Sequence, residues 1–124
     1  MRIDRSAFEE MAREAFESLP DVLMQKLENV VVVVEERPSP ETSRRFGRGG
    51  GILLGLYEGV PLTFRGAHYG SYPVAPDKIS LFRQNILRTV RSEEEVPEKI
   101  RDVLIHEIAH HFGMDEDEIR DAGY

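Results

Sequence analysis

The stretch of sequence that most restricts the fold is HEIAHHFG, residues 106–113. It completes a helix that the sequence predicts from Pro97 to about Phe112, since proline favours the first turn of a helix. Gly113 then supplies the left-handed residue at which helices commonly end. Apolar residues cover most of the remaining circumference, so the helix is predicted to be largely buried. Two histidines and a glutamate on its one polar arc therefore need a functional explanation.

The two histidines have the spacing of metal ligands. Positions four apart on a helix are separated by only about 40° around its axis, so His106 and His110 share one face. Both imidazoles can then reach one zinc ion at metal–nitrogen distances of about 2.0–2.1 Å. Glu107 lies about 100° further around the helix, where its carboxylate suits proton transfer with a water molecule rather than metal binding.

A third ligand is expected just after the helix. Glu116 follows Gly113 by three residues, and its carboxylate would complete a set of two histidines and one carboxylate with an open fourth position, as in catalytic zinc sites. The neighbouring acids are competing donors: Asp115, Asp117 and Glu118. The alternative is that all four acids form an ordinary solvated first turn of a short helix, favoured by the helix dipole.

Together these residues resemble the small bacterial minimal zincins, a family of predicted zinc-dependent metallopeptidases of about this length. The similar segments are residues 106–113, 115–116, 122–124, 59–63 and 79–83. The family pattern, H-E-x-x-H-x-x-G-x-x-D, has aspartate where this chain has Glu116. The resemblance implies an α+β fold in which a small twisted sheet of three to four strands packs on helices. The motif helix, near the C-terminus, would lie beneath an active-site cleft.

These residues indicate a zinc-dependent metallopeptidase-like hydrolase that acts on a peptide or protein substrate. Zinc would be bound by His106, His110 and Glu116, and Glu107 would be the general base for the attacking water. An alternative is a zinc-containing binding or regulatory domain without turnover, because a short chain leaves little material for substrate subsites. A third interpretation is a metal-free helical interaction domain.

Other residues are candidates for subsidiary roles. Zincins often stabilise the oxyanion of the tetrahedral intermediate with a distant tyrosine or histidine, and the candidates are His68, Tyr69, Tyr72 and Tyr124. The predicted strand Lys78–Arg83 is a candidate edge strand for pairing with an extended substrate, with an ordinary sheet edge as the alternative. His111 points about 100° away from His110 and is predicted to pack rather than bind metal.

Hydrophobic periodicity and breakers predict an α+β order of elements, with helices before and after a small sheet. The predicted helices are Ser6–Glu17, capped by Ser6 and Glu9, then Asp21–Leu27, Asn85–Arg91 and Asp115–Asp121. The predicted strands are Asn29–Glu35, buried on both faces, then Ile52–Tyr57 and Lys78–Arg83, with Ile79 and Leu81 inward and Ser80 and Phe82 outward. A long loop is predicted for residues 36–51.

Length and composition narrow the remaining possibilities. The 124 residues suffice for one domain, 1–124, with its own core. A net charge of −7 argues against nucleic-acid or anionic-membrane partners, and the absence of cysteine excludes disulfides and thiolate metal sites. The longest apolar run, Val30–Val34, is far shorter than a membrane span. A cytoplasmic monomer is therefore the default expectation.

Overall fold

A computed structural model describes residues 3–47, 52–59 and 75–121, except for the side chain of Glu116. Its elements follow in the order α1 (Arg5–Glu17), α2 (Asp21–Met24), β1 (Val30–Glu35), α3 (Pro40–Phe46), β2 (Gly55–Glu58), β3 (Asp77–Phe82), α4 (Arg83–Leu87), a 3₁₀ turn (Glu93–Glu95), α5 (Val96–His111) and α6 (Glu116–Asp121). This arrangement confirms the predicted α+β class. The described residues contain a three-stranded sheet.

Strand β3 lies at the centre of the sheet, whose strand order is β1-β3-β2. It pairs in parallel with β1 and antiparallel with β2, so both of its edges are occupied. The prediction that Lys78–Arg83 forms a substrate-pairing edge strand is therefore wrong. The predicted outward side chains are also buried, since Ser80 is 2% exposed and Phe82 is 1% exposed. Both faces of this strand are therefore covered, which an alternating sequence pattern does not reveal.

Strand β1 lies at an edge of the sheet. The prediction that it is buried on both faces is wrong. Val34 is buried, but Val31 on the opposite face is 39% exposed. A run of β-branched residues fits an edge strand as well as a central one, because such residues pack well on any pleated, half-buried surface.

Two predictions of secondary structure in the N-terminal half of the chain are also corrected. Helix α1 begins one residue earlier than expected, because Asp4 is its cap: the Asp4 Oδ1 atom accepts a hydrogen bond from the Ala7 N–H at 2.8 Å. The capping box predicted for Ser6 is therefore wrong. The predicted loop contains helix α3, whose cap is Ser39, with its hydroxyl oxygen accepting from the Thr42 N–H at 3.1 Å. Proline at the first turn of α3 is a helix-start signal, not a break.

The motif helix α5 packs against one face of the sheet beside α1. Its buried side chains are Val96, Ile100, Val103, Leu104, Ile105, Ile108 and Ala109, which confirms the prediction of a largely buried helix. It ends as predicted, since Gly113 has a φ of 74° in the left-handed region. No helix among the described residues is long and apolar enough to cross a membrane.

An ion pair joins the end of β1 to the start of α4. The Arg83 guanidinium donates to both carboxylate oxygens of Glu36, at 2.8 and 2.6 Å, and also donates to the Ile3 carbonyl oxygen at 2.7 Å. Gln84 donates a further hydrogen bond to Glu36 at 3.0 Å. Chiefly through Arg83, these contacts lower the pKa of Glu36 from its ordinary value of 4.5 to about 2. The pair thus ties the N-terminal segment to the sheet.

The variant Glu36→Gln is expected to lower the free energy of unfolding at pH 7 by about 1 kcal/mol, a modest effect because the Glu36 side chain is 42% exposed to screening solvent. The folded-state pKa of Glu36 lies below that of the unfolded chain. The stabilisation is therefore present above pH 4.5 and is lost as the pH falls towards 2. Urea unfolding at pH 7 and pH 3 measures both effects.

The matched control is Glu58→Gln, because Glu58 lies 3.8 Å from Lys78 in a pair whose two side chains are 43–50% exposed. This variant should change stability little at either pH. Equal losses of stability at pH 7 in the two variants would contradict the assigned role of Glu36.

Candidate active site

Helix α5 brings the two motif histidines together on one face. The ring centroids of His106 and His110 are 6.0 Å apart, as the four-residue spacing predicts. The His106 Nδ1 atom lies 2.9 Å from the Asp102 carbonyl oxygen. Since a carbonyl oxygen only accepts hydrogen bonds, Nδ1 carries a proton, and Nε2 is the nitrogen that can bind a metal ion when the ring is neutral. Metal-binding histidines are typically held in this way.

The carboxylate of Glu107 lies beside this face in a half-buried position. Burial raises its pKa above the ordinary value, while the charge of His110, a hydrogen bond from the main chain of Tyr57 and the charge of His106 partly offset the rise. The hydrogen-bond donor is the Tyr57 N–H, because a carboxylate only accepts when ionised. A carboxylate with a raised pKa is a stronger base than a free glutamate, which suits proton transfer near neutral pH.

His111 does not share the face of the two motif histidines. Its ring stacks on the ring of Tyr57, with centroids 3.8 Å apart and an angle of 16° between the planes. The prediction that His111 packs is therefore confirmed. Tyr57 itself is 9% exposed and donates a hydrogen bond from its hydroxyl to Asp77 Oδ2 at 2.8 Å.

The structure does not bring a third donor to the two histidines among the side chains that it describes. Glu116 is the first residue of α6, which follows the motif helix after a short connection. Its side chain is not among those that the structure describes. Of its competitors, Asp115 is engaged elsewhere: its Oδ1 accepts the Glu118 N–H at 2.8 Å, and Glu118 accepts the Asp115 N–H at 3.3 Å. Asp115 and Glu118 thus form a capping box for α6.

The predicted oxyanion stabilisers cannot be placed in the site. The candidates all lie outside the described residues: His68, Tyr69, Tyr72 and Tyr124. Their roles stay predictions.

A cleft adjoins the histidine face. It has a volume of about 390 Å³ and lies between α5 and the chain that leads into β2. Its lining residues are Ile52, Leu53, Leu54, Lys99, Asp102, Val103, His106 and Glu107. One of its walls is fixed by the buried Asn85, whose side-chain N–H donates to the Leu53 carbonyl oxygen at 2.9 Å. The cleft therefore has an apolar wall and reaches both His106 and Glu107.

Gly55 allows β2 to approach the motif helix closely, a feature absent from the expectations drawn from the sequence. A Cβ atom on Gly55 would lie 2.8 Å from Val103 Cγ1, 3.1 Å from the Ser80 carbonyl oxygen and 3.4 Å from Glu107 Cγ. A glycine within a predicted strand was the available signal, because such glycines often mark a close approach of two backbones.

The variant Gly55→Ala is expected to lower the free energy of unfolding by about 1–3 kcal/mol, the usual effect of overpacking. The clash with Val103 outweighs the gain of up to about 1 kcal/mol from a less flexible unfolded chain. Adding Val103→Ala removes the contacting methyl, so Gly55→Ala should then be less destabilising by at least about 0.5 kcal/mol. Urea unfolding of the four proteins measures this coupling, and strictly additive effects would contradict the packing described.

Comparisons with known proteins agree with this architecture. The family model described as zincin-like metallopeptidase matches residues 27–124. Among solved structures, a conserved hypothetical protein from Thermo thermophilus is similar, with a TM-score of 0.54 and 21% sequence identity. The similarity covers 88% of this chain and 94% of that protein, and at this identity it shows the fold alone. No curated protein matches the sequence.

Proposed function

Since the chain belongs to the zincin-like metallopeptidase family, we propose that it is a zinc-dependent peptidase. His106 and His110 are the proposed zinc ligands, Glu116 is the proposed third ligand, and Glu107 is the proposed general base. The observation that carries the proposal is the half-buried Glu107 carboxylate, which has a raised pKa and lies beside a face formed by two histidines.

The imidazole nitrogens of His106 and His110 are of the type that zinc prefers as ligands. Neutral imidazole nitrogens are preferred zinc ligands, and the hydrogen bond of His106 to the Asp102 carbonyl oxygen leaves Nε2 available. His110 is exposed at the surface of the helix and is accessible to an ion. Zinc bound there would supply Lewis-acid activation of water and of the substrate carbonyl.

Glu107 would move protons in the reaction. Its carboxylate oxygen accepts a proton from the attacking water, and the same oxygen then returns the proton to the leaving amine nitrogen. Burial favours the first step, because it raises the pKa of Glu107 above its ordinary value and so makes the carboxylate a stronger base.

The substrate is proposed to be an extended peptide that pairs with the main-chain groups of Gly55 at the outer edge of β2 and lies across the cleft. Within the described sheet, β2 pairs with β3 on one side only. The Gly55 N–H and carbonyl point away from β3, since the neighbouring Leu54 carbonyl is the group that accepts from the Phe82 N–H at 3.0 Å. Strand addition of this kind recognises main-chain atoms and so suits varied peptide sequences.

The direct test is incubation of the purified, zinc-loaded chain with a broad peptide library, followed by mass spectrometry. The proposal expects cleavage that a chelator abolishes and that added zinc restores. An absence of cleavage at full zinc occupancy would overturn the proposal and favour a zinc-containing binding domain. Cleavage that continues after complete removal of metal would overturn it in favour of another hydrolytic mechanism.

A further inference from the structure

We propose that Tyr57 is a positioning residue of this site, whose main-chain N–H holds the Glu107 carboxylate while its ring fixes β2 against the motif helix. This inference rests on the general-base role proposed above for Glu107. It assigns a function to His111 as well, because His111 holds the Tyr57 ring.

The register of the sheet directs the Tyr57 N–H towards Glu107. In an antiparallel pair, alternate residues point their N–H and carbonyl groups to the partner strand. Leu54 points its carbonyl to Phe82 of β3, so the main-chain groups of Tyr57, three residues later, point to the opposite edge. On that side of β2, the Glu107 carboxylate, which extends from α5, accepts the hydrogen bond of the Tyr57 N–H.

The side chain of Tyr57 makes three further contacts. Its hydroxyl donates to Asp77 Oδ2 on the central strand at 2.8 Å, and its face stacks on His111 at 3.8 Å. The ring of Phe112 meets it edge-on, with centroids 6.0 Å apart. The side chain is thus held to β3 and to the last turn of α5 together, which limits the movement of its own N–H.

The spacing of the motif explains why Tyr57 can contact both Glu107 and His111. Glu107 and His111 are four apart, so they share a second face of α5, adjacent to the face of His106 and His110. Tyr57 contacts this second face twice, through its N–H at Glu107 and through its ring at His111. One face is therefore available to a metal ion, while the other anchors the base to the edge strand.

Amide hydrogen exchange tests the hydrogen bond without requiring activity. In the parent chain, the Tyr57 amide should exchange slowly although it faces away from β3. Glu107→Ala should speed its exchange by at least about tenfold, whereas Glu107→Gln should preserve protection because its amide oxygen still accepts. The amides of Leu56 and Glu58 serve as controls, since both point towards β3 and should not change.

Variants of His111 test the ring contact. His111→Ala should speed the exchange of the Tyr57 amide and lower kcat by about tenfold or more, with KM and zinc affinity changed by less than about twofold. His111→Phe should restore both properties, because a phenyl ring can stack in the same place. This rescue separates positioning by a ring from any role of the imidazole nitrogens.

Three outcomes would overturn the inference. The first is a Tyr57 amide that exchanges equally fast in the parent and in Glu107→Ala. The second is loss of protection at Leu56, Tyr57 and Glu58 alike, which would show general loosening of β2. The third is a His111→Ala variant that retains the parental exchange rate. None of these results depends on peptide cleavage, so failure of this inference is distinguishable from failure of the proposed function.

Discussion

Replacing Glu107 with glutamine is expected to lower peptide cleavage by at least about 100-fold while leaving zinc binding unchanged. Glutamine has almost the same shape and can still accept the hydrogen bond from the Tyr57 N–H, but it cannot take a proton from water at neutral pH. The measurement is the rate of cleavage of one susceptible peptide, with the zinc content of both proteins determined in the same samples.

The control is Glu98→Gln, which removes an exposed carboxylate from the first turn of the same helix. Its cleavage rate should equal that of the parent chain. Cleavage by Glu107→Gln at the parental rate would show that the base lies elsewhere. Loss of zinc from Glu107→Gln would show that Glu107 is itself a ligand, contrary to the separate role assigned to it.

The second large effect is expected at Glu116. If its carboxylate is the third ligand, Glu116→Ala should weaken zinc binding by more than about 100-fold, because even the loss of a group that only supports a ligand costs about 10–100-fold. Glu116→Asp should retain zinc, since aspartate is the residue found in the resembled family pattern. Competition with a chelator of known affinity measures both constants.

The neighbouring acids provide the controls for this experiment. Asp115→Ala should destabilise the chain by about 1 kcal/mol, because it removes the cap of α6, but it should leave zinc affinity unchanged. Asp117→Ala should have little effect on either quantity, since this exposed side chain contacts Arg120 at 3.4 Å. Parental zinc affinity in Glu116→Ala, together with weak binding by either aspartate variant, would move the third ligand to that aspartate.

Local signals were sufficient to predict the motif helix. The helix has a proline near its start, apolar residues at helical spacing along its length and Gly113 at its end. Each of these signals involves only residues near one another in the sequence, and the structure confirms them. The shared face of His106 and His110 follows from helix geometry alone and is likewise observed.

The position of each strand in the sheet depends on contacts distant in sequence, and here the predictions were wrong. The valine run of β1 and the alternating pattern of β3 suit a central or an edge strand equally well by composition. Only the pairing of β3 with both neighbours shows that β3 is central and that, within the described sheet, β2 is the edge strand next to Glu107.

The same limitation explains why the anchoring of Glu107 was missed. Tyr57 lies fifty residues before Glu107, and its sequence neighbours contain no motif. Its contact with Glu107 requires the register of β2 on β3 and the close approach at Gly55. Of these two features, only the close approach has a signal in the sequence, namely the glycine within the predicted strand.

Zinc content tests the central claim most directly. After equilibration with zinc and removal of the excess, elemental analysis of the parent chain should find about one zinc per chain. The double variant His106→Ala/His110→Ala should contain almost none, while its circular dichroism should show a retained helix. A parent chain that binds no zinc, or a double variant that keeps a full zinc ion, would contradict the account.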